Sequence, residues 1–220
     1  MKRPGILVLS LLLLSGVGRS APTAQETAAN LEKALRKVRT LQARFEQLYF
    51  SVSVTEPLRE SGDLFLQRPD RMRWQYKLPQ EKAFLYTGGL LQVYVAEDKQ
   101  LTRSKVSPES YDTDILGIFM GTKSFRDLYA IEDTRFPTDT ARVRQLKLTP
   151  KEEGDYSHIL LEVDDRTWLL RRAIFIEWAG NKREFLFSRI KTNAALPART
   201  FELKVPPGTE VIDEAGPVKR

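Results

Sequence analysis

Residues 62–74, Gly-Asp-Leu-Phe-Leu-Gln-Arg-Pro-Asp-Arg-Met-Arg-Trp, constrain this chain more than any other stretch. They predict two strands joined at a proline turn. Leu64 and Leu66 share one face of the first strand with Arg68, and Phe65 lies on the other. Pro69 has no backbone donor and pushes Arg68 into an extended conformation, so the ladder breaks there. Met72, Trp74 and Tyr76 then alternate with Arg71, Arg73, Gln75 and Lys77 in strict period two. One face is apolar and aromatic, the other strongly cationic.

Around this stretch the pattern is mainly β. Upstream, residues 25–39 predict an amphipathic helix, with Leu31, Leu35 and Val38 on one face and Glu32, Lys33, Arg36 and Lys37 opposite. The pattern after Leu41 fits helix or strand; the β-formers of 49–55 favour a strand to about Val54, closed by a turn at Glu56-Pro57. Strands are expected over 58–67, 71–77, 82–87, 90–96 and 100–106, with Gly88-Gly89 as a tight hairpin turn. Such short loops make this meander antiparallel. Residues 108–130 break the pattern. Asp112, Thr113 or Asp114 can cap a short helix through Met120, apolar nearly all round, and a second helical turn fits 124–129. A further meander is expected over 143–148, 157–163, 168–178 and 183–191, and a last strand over 200–205 before Pro206-Pro207-Gly208.

Lys2 and Arg3 precede a short apolar run, then small residues at Gly18 and Ser20. The run is too short to span a bilayer, so 1–20 reads as a leader cleaved before Ala21, and 21–220 as a single domain. The chain has no Cys, hence no lipidated N-terminal Cys and no disulfide, and its core must carry its stability. A bacterial periplasm fits this better than a eukaryotic extracellular space. The formal charge is +6; losing Lys2, Arg3 and Arg19 leaves 32 basic against 29 acidic residues, a net +3. Interleaved charges of that size do not point to nucleic acid.

Catalytic and metal signatures are sparse. The one histidine, His158, begins a strand without nucleophile-elbow glycines or a zinc-binding companion. Glu152-Glu153 and Asp164-Asp165 sit in polar turns, and no glycine-rich phosphate loop is present. No cofactor is expected, and the chain reads as a non-enzyme.

The Gly-Asp-Leu strand, Arg68-Pro69, the apolar residue and Trp74 resemble the LolA family of periplasmic lipoprotein carriers. The resemblance runs in order through the leader, the first helix, the Gly88-Gly89 hairpin, the apolar helix before Gly121, and Asn193-Ala194-Ala195-Leu196-Pro197. It ends on the aromatic segment from Phe201 through Pro-Pro-Gly to Val211-Ile212-Asp213. Met72 stands where the family often has an aromatic or leucine, and 132–140 does not align readily.

The resemblance implies a mainly β fold with helical insertions: an incomplete antiparallel β-barrel closed by a helical lid around an apolar cavity. It implies a soluble periplasmic monomer that takes acylated lipoproteins from an inner-membrane Lol-type ABC transporter and hands them to an outer-membrane acceptor. Arg68 would be the lid lock, its guanidinium holding lid carbonyls. Leu35, Leu64, Leu66, Met72, Trp74, Tyr76, Ile115, Ile118 and Phe119 would line the cavity. A lipid- or lipoprotein-sensing regulatory domain on the same sheet is the alternative; a lipid-active hydrolase is a weaker one, lacking partners for His158.

Overall fold

The computed structural model describes residues 21–106 and 124–217. The expected leader and the expected apolar helix with Ile115, Ile118 and Phe119 lie outside the described residues. The chain opens with α1 (Ala24–Arg36). Its Thr23 N-cap accepts from the Glu26 amide at 3.2 Å while the Glu26 carboxylate accepts from the Thr23 amide at 2.8 Å, a complete capping box. The helix ends at Arg36 rather than at the expected Arg39, with Lys37 as C-cap.

Twelve strands follow: β1 (Thr40–Phe50), β2 (Leu58–Gln67), β3 (Arg71–Leu78), β4 (Lys82–Thr87), β5 (Leu90–Val95), β6 (Gln100–Lys105), β7 (Tyr129–Asp133), β8 (Val143–Pro150), β9 (Tyr156–Asp164), β10 (Leu170–Glu177), β11 (Lys182–Thr192) and β12 (Glu210–Pro217). A short helix, α2 (Phe125–Leu128), precedes β7. The strands form one open sheet in the order β12-β6-β5-β4-β3-β2-β1-β11-β10-β9-β8-β7. Two sequential meanders, β1–β6 and β7–β11, are stitched together where β1 meets β11, with Phe45 opposite Phe187. Among the described residues, every pairing is antiparallel except β12 with β6.

Three expectations shift. The strand expected to run to Val54 stops at Phe50, because the segment before Leu58 is needed to turn the chain. The strand expected over 200–205 is absent: Ala198–Phe201 is a 3-10 turn, and the strand forms later, at Glu210–Pro217. Phe201, Leu203 and Val205 alternate like a strand. Phe201 is instead buried on the sheet's outer face, and the Thr200 and Glu202 carbonyls are taken by the Arg73 guanidinium, each at 3.0 Å. Finally, β7 occupies part of a region expected to be helix and linker. Beyond it, Gln145 brackets Phe136, accepting from its amide at 3.2 Å and donating to its carbonyl at 2.8 Å.

The core sits between α1 and the inner face of the sheet. Ala24, Ala28, Leu31 and Leu35 of α1 are buried in one cluster with Leu41, Ala43, Phe45, Leu64, Leu66, Met72, Trp74, Leu146, Leu148, Ile159, Leu161, Phe185 and Phe187. A smaller apolar layer, Ala83, Leu85, Tyr94, Leu101 and Phe201, is buried apart from that cluster. Gly62 is required where β2 meets β3: a Cβ there would stand 1.9 Å from the Gln75 carbonyl oxygen.

Candidate functional site

The site is the inner face of the sheet and the helix laid over it. α1 is fixed to the far meander at Gln25 and Glu32. Gln25 Nε2 donates to the Ile131 carbonyl on β7 at 3.0 Å, and Glu32 accepts from the Ser124 hydroxyl at 2.9 Å and the Phe125 amide at 2.5 Å, tying α1 to α2.

Its C-terminal end is held differently. The last carbonyls of a helix have no intrahelical donors. Here the Leu35 carbonyl accepts from the Val38 amide at 3.1 Å, and two side chains from elsewhere in the chain add donors to this end. Arg68 Nε donates to the Val38 carbonyl at 3.0 Å and Nη2 to the Leu35 carbonyl at 3.2 Å, and its amide donates to the Arg39 carbonyl at 2.9 Å. Asn193 Nδ2 donates to the Lys37 carbonyl at 3.2 Å, while its Oδ1 accepts from the Arg39 amide at 2.7 Å. Asn193 holds a left-handed backbone, φ 59°, which asparagine tolerates better than most residues. Burial pulls the Arg68 pKa below its usual value, yet a guanidinium stays charged, so these bonds are charge-assisted. The position of Arg68 at the strand end before Pro69 is legible in sequence; Asn193 stands in the sequence only as part of a tail motif, and nothing local to it signals its bonds to the helix end.

Beneath the helix the expected lining residues come together. Leu35, Leu64, Leu66, Met72, Trp74 and Tyr76 are all buried in one cluster. Trp74 packs edge-on against Phe45, Phe185 and Phe187 at centroid distances of 4.8, 5.5 and 6.0 Å, and its indole N–H points at the Met72 sulfur, 3.3 Å away. An apolar helix stripe thus covers an apolar, aromatic sheet face.

That face ends in polar side chains. Gln47 on β1 donates to Glu60 on β2 at 2.9 Å, Tyr76 on β3 donates to Gln47 at 2.7 Å, and Lys82 on β4 donates to Glu60 at 2.6 Å. Burial, then Glu60, push the Tyr76 phenol above its usual pKa, with Arg183 opposing. Gln47 and Glu60 sit at inward positions of alternating strands, the one signal that could have singled them out in sequence.

Two hollows border the site. A crevice of about 390 Å³ runs between the C-terminal half of α1 and the β9–β10 turn, lined by Lys33, Ala34, Lys37, Trp168, Leu169 and Asn193. Trp168 has φ 57°, a strained backbone for a bulky side chain, and its turn is braced by Asp164, which accepts from the Thr167 amide at 2.7 Å and hydroxyl at 2.8 Å. A second hollow of about 790 Å³ is lined by charged residues such as Arg44, Asp63 and Lys77 together with apolar ones such as Leu78, Leu170 and Ile190; Lys77 Nζ lies 2.6 Å from Asp63.

His158 lies on β9 with Nδ1 3.0 Å from the Ser157 hydroxyl, which donates to the Ile176 carbonyl. Burial and Lys147 lower its pKa. Among the described residues, no group of three or more His, Asp or Glu side chains could hold a metal ion, and no helix is long and apolar enough to cross a membrane.

The chain is 27% identical over 209 residues to an outer-membrane lipoprotein carrier protein of Pseudomonas fluorescens, covering 95% of this chain and 99% of that one. It is 30% identical over 200 residues to the Pseudomonas aeruginosa protein of the same name, covering 90% and 94%. A solved structure of an uncharacterized conserved protein from Thermus thermophilus superposes with a TM-score of 0.56 at 13% identity, covering 87% of this chain and 99% of that chain, a likeness of fold alone. The family model described as outer membrane lipoprotein carrier protein LolA matches residues 36–204, which includes Arg68, the whole of β1 to β11 and Asn193, and the chain therefore belongs to the LolA family.

Proposed function

We propose that this chain is a soluble, non-catalytic periplasmic carrier of acylated lipoproteins, and that α1 is its releasable lid. The observation that carries the reading is the hold on the end of α1: side chains, chiefly Arg68, satisfy the helix carbonyls directly above an apolar face. Charge-assisted bonds of this kind contribute about 1.5–3 kcal/mol each when shielded. Each methylene of an acyl chain gains about 0.8 kcal/mol on leaving water. A lipid reaching the face held by Leu64, Leu66, Met72 and Trp74 can therefore replace the apolar contacts of Leu31 and Leu35 and outweigh the clamp. With no lipid, the clamp keeps the apolar face away from water, as a free-standing carrier requires.

In this reading Ile115, Ile118 and Phe119 add to the apolar cover. Residues 1–20 are a leader removed on export, and 21–220 act as a monomeric domain. Lipoproteins arrive from an inner-membrane ABC transporter and leave to an outer-membrane acceptor.

The test compares wild type with Arg68→Leu in a reconstituted transfer assay, using one lipoprotein in acylated and unacylated forms. Wild type should bind the acylated form and not the unacylated one. Arg68→Leu should fold, load at least as well, and transfer to outer-membrane vesicles more slowly, with Arg68→Lys between them because a point charge cannot hold several carbonyls in a plane. Equal binding of both forms would sink the carrier reading; wild-type transfer by Arg68→Leu would sink the clamp.

A further inference from the structure

The hydrogen-bonded row Gln47–Glu60–Tyr76–Lys82 has no part in holding α1. It lies at the other end of the inner face. Along β2 the inward positions run Leu66, Leu64, Gly62, Glu60, and the residue before Arg68's strand end is thus separated from Glu60 by about 20 Å of strand. The first three of these positions are apolar or bare; the fourth carries a charge. One inward position further, Leu58 is 53% exposed, so solvent begins just beyond the row.

These are polar groups, yet they do not face that solvent. Gln47 and Glu60 are 7% exposed and Tyr76 6%, and the Lys82 side chain is 25% exposed. The row crosses four adjacent strands, and each member bonds to the next: Tyr76 to Gln47, Gln47 to Glu60, and Glu60 to Lys82, whose ammonium also stands 4.4 Å over the Tyr76 ring. Removing any one strands a buried partner, which is costly, above all for Glu60. An incoming methylene gains nothing by pressing on such a row, because it would have to break the Glu60–Lys82 charge pair to pass.

We infer that Gln47, Glu60, Tyr76 and Lys82 form a floor that sets the length of acyl chain the inner face accepts. The inference rests on the carrier reading above and adds a specificity determinant to it. An acyl chain lying along the face from the clamped end of α1 is stabilised by Met72, Leu64 and Trp74 as it lengthens. It stops gaining when its tip reaches the Tyr76–Glu60 row.

The test measures binding of a synthetic lipopeptide series that differs only in its acyl group: lauroyl, myristoyl, palmitoyl, stearoyl and arachidoyl. For wild type, affinity should climb by roughly fifteenfold for each two-methylene step and then level off at a definite length. In Glu60→Leu/Lys82→Leu, which removes both charges together, the climb should continue for at least one further member. Glu60→Gln/Lys82→Gln keeps a polar row and should level off where wild type does. If the leucine pair loses its cooperative thermal transition, Glu60→Met/Lys82→Met, which also removes both charges but with flexible side chains, is read in its place and should move the limit in the same direction. An unchanged limit in the leucine pair, or in the methionine pair where that stands in for it, overturns the floor while leaving the carrier reading intact. A wild type that binds the unacylated peptide as tightly as the acylated ones overturns both.

Discussion

Arg68 and Arg73 belong to the same β2–β3 hairpin region and use the same chemistry on opposite faces. Arg68 donates to carbonyls of the α1 terminus over the inner face; Arg73 donates to the Thr200 and Glu202 carbonyls over the outer face. What lies past each contact differs. Beyond Glu202 the chain goes on to β12, which is laddered to β6 from Glu210 opposite Gln100 onward, and Phe201 is buried in the outer layer. The α1 terminus is held by side chains, Arg68 and Asn193, and by an apolar stripe that a lipid could replace. A strap that ends in a ladder is permanent; a helix end held by side-chain donors can be released by rotating those side chains.

The largest expected effect removes both straps at once. Gly62→Ala puts a Cβ where the Gln75 carbonyl stands and should cost more than about 3 kcal/mol, seen as a collapse of the urea midpoint. A near-normal midpoint would mean the hairpin tolerates a shift that its packing does not suggest. Next, Phe201→Ala should cost about 3 kcal/mol in the same titration while lipoprotein loading is unchanged, because it empties only the outer layer. Altered loading would erase the distinction between the straps. Asn193→Gly keeps the left-handed backbone and deletes only the amide, so it isolates the inner clamp. The expected loss is about 1 kcal/mol of stability, with faster loading that adds little to Arg68→Leu in a double-mutant cycle. Full additivity would show the two side chains acting on different things.

The smallest effect concerns the wall beside the helix. Burial pushes the Asp164 carboxyl up, but hydrogen bonds from Thr167 and Arg166, with the Arg166 charge, outweigh it and hold the pKa below its ordinary 3.8. Its contribution to the Trp168 turn is therefore present at neutral pH and lost as pH falls from that ordinary value through the lowered one. The Tm difference between wild type and Asp164→Asn should shrink over this acid range. A difference independent of pH would assign the turn's order to Trp168 packing instead.

The sheet was largely legible in sequence. Period-two alternation places Met72, Trp74 and Tyr76 on one face, and the structure pairs Trp74 with Leu64 and Phe84 in register. Gly88-Gly89 falls between strands as its chemistry demands, and the turn expected at 164–166 forms one residue later, with Asp164 closing β9. What escaped depends on partners distant in the chain. The 198–205 segment has strand-like alternation, but its carbonyls meet the Arg73 side chain rather than a neighbouring strand. β7 is only five residues long, too short for periodicity to declare. Arg68 stood out through its proline; Asn193 and Glu60 did not, since an asparagine near a strand end and one inward acid are unremarkable until Lys37, Arg39, Gln47 and Lys82 are seen around them.

The seam between β1 and β11 bears on the order in which this protein acquires its structure. Each meander is built from neighbouring hairpins and can assemble locally, but Phe45 meets Phe187 only after nearly the whole chain has been synthesised. Pairings so remote in sequence are slow, because loop closure must precede the contact that rewards it. Until the seam forms, the early meander holds Leu64, Leu66, Met72 and Trp74 on an uncovered sheet face with an unpaired β1 edge beside it. The nascent chain thus passes through a stage with the same liability as the lipids its family is named for, an apolar surface in water, and the interval before β11 arrives is when it most needs protection from aggregation.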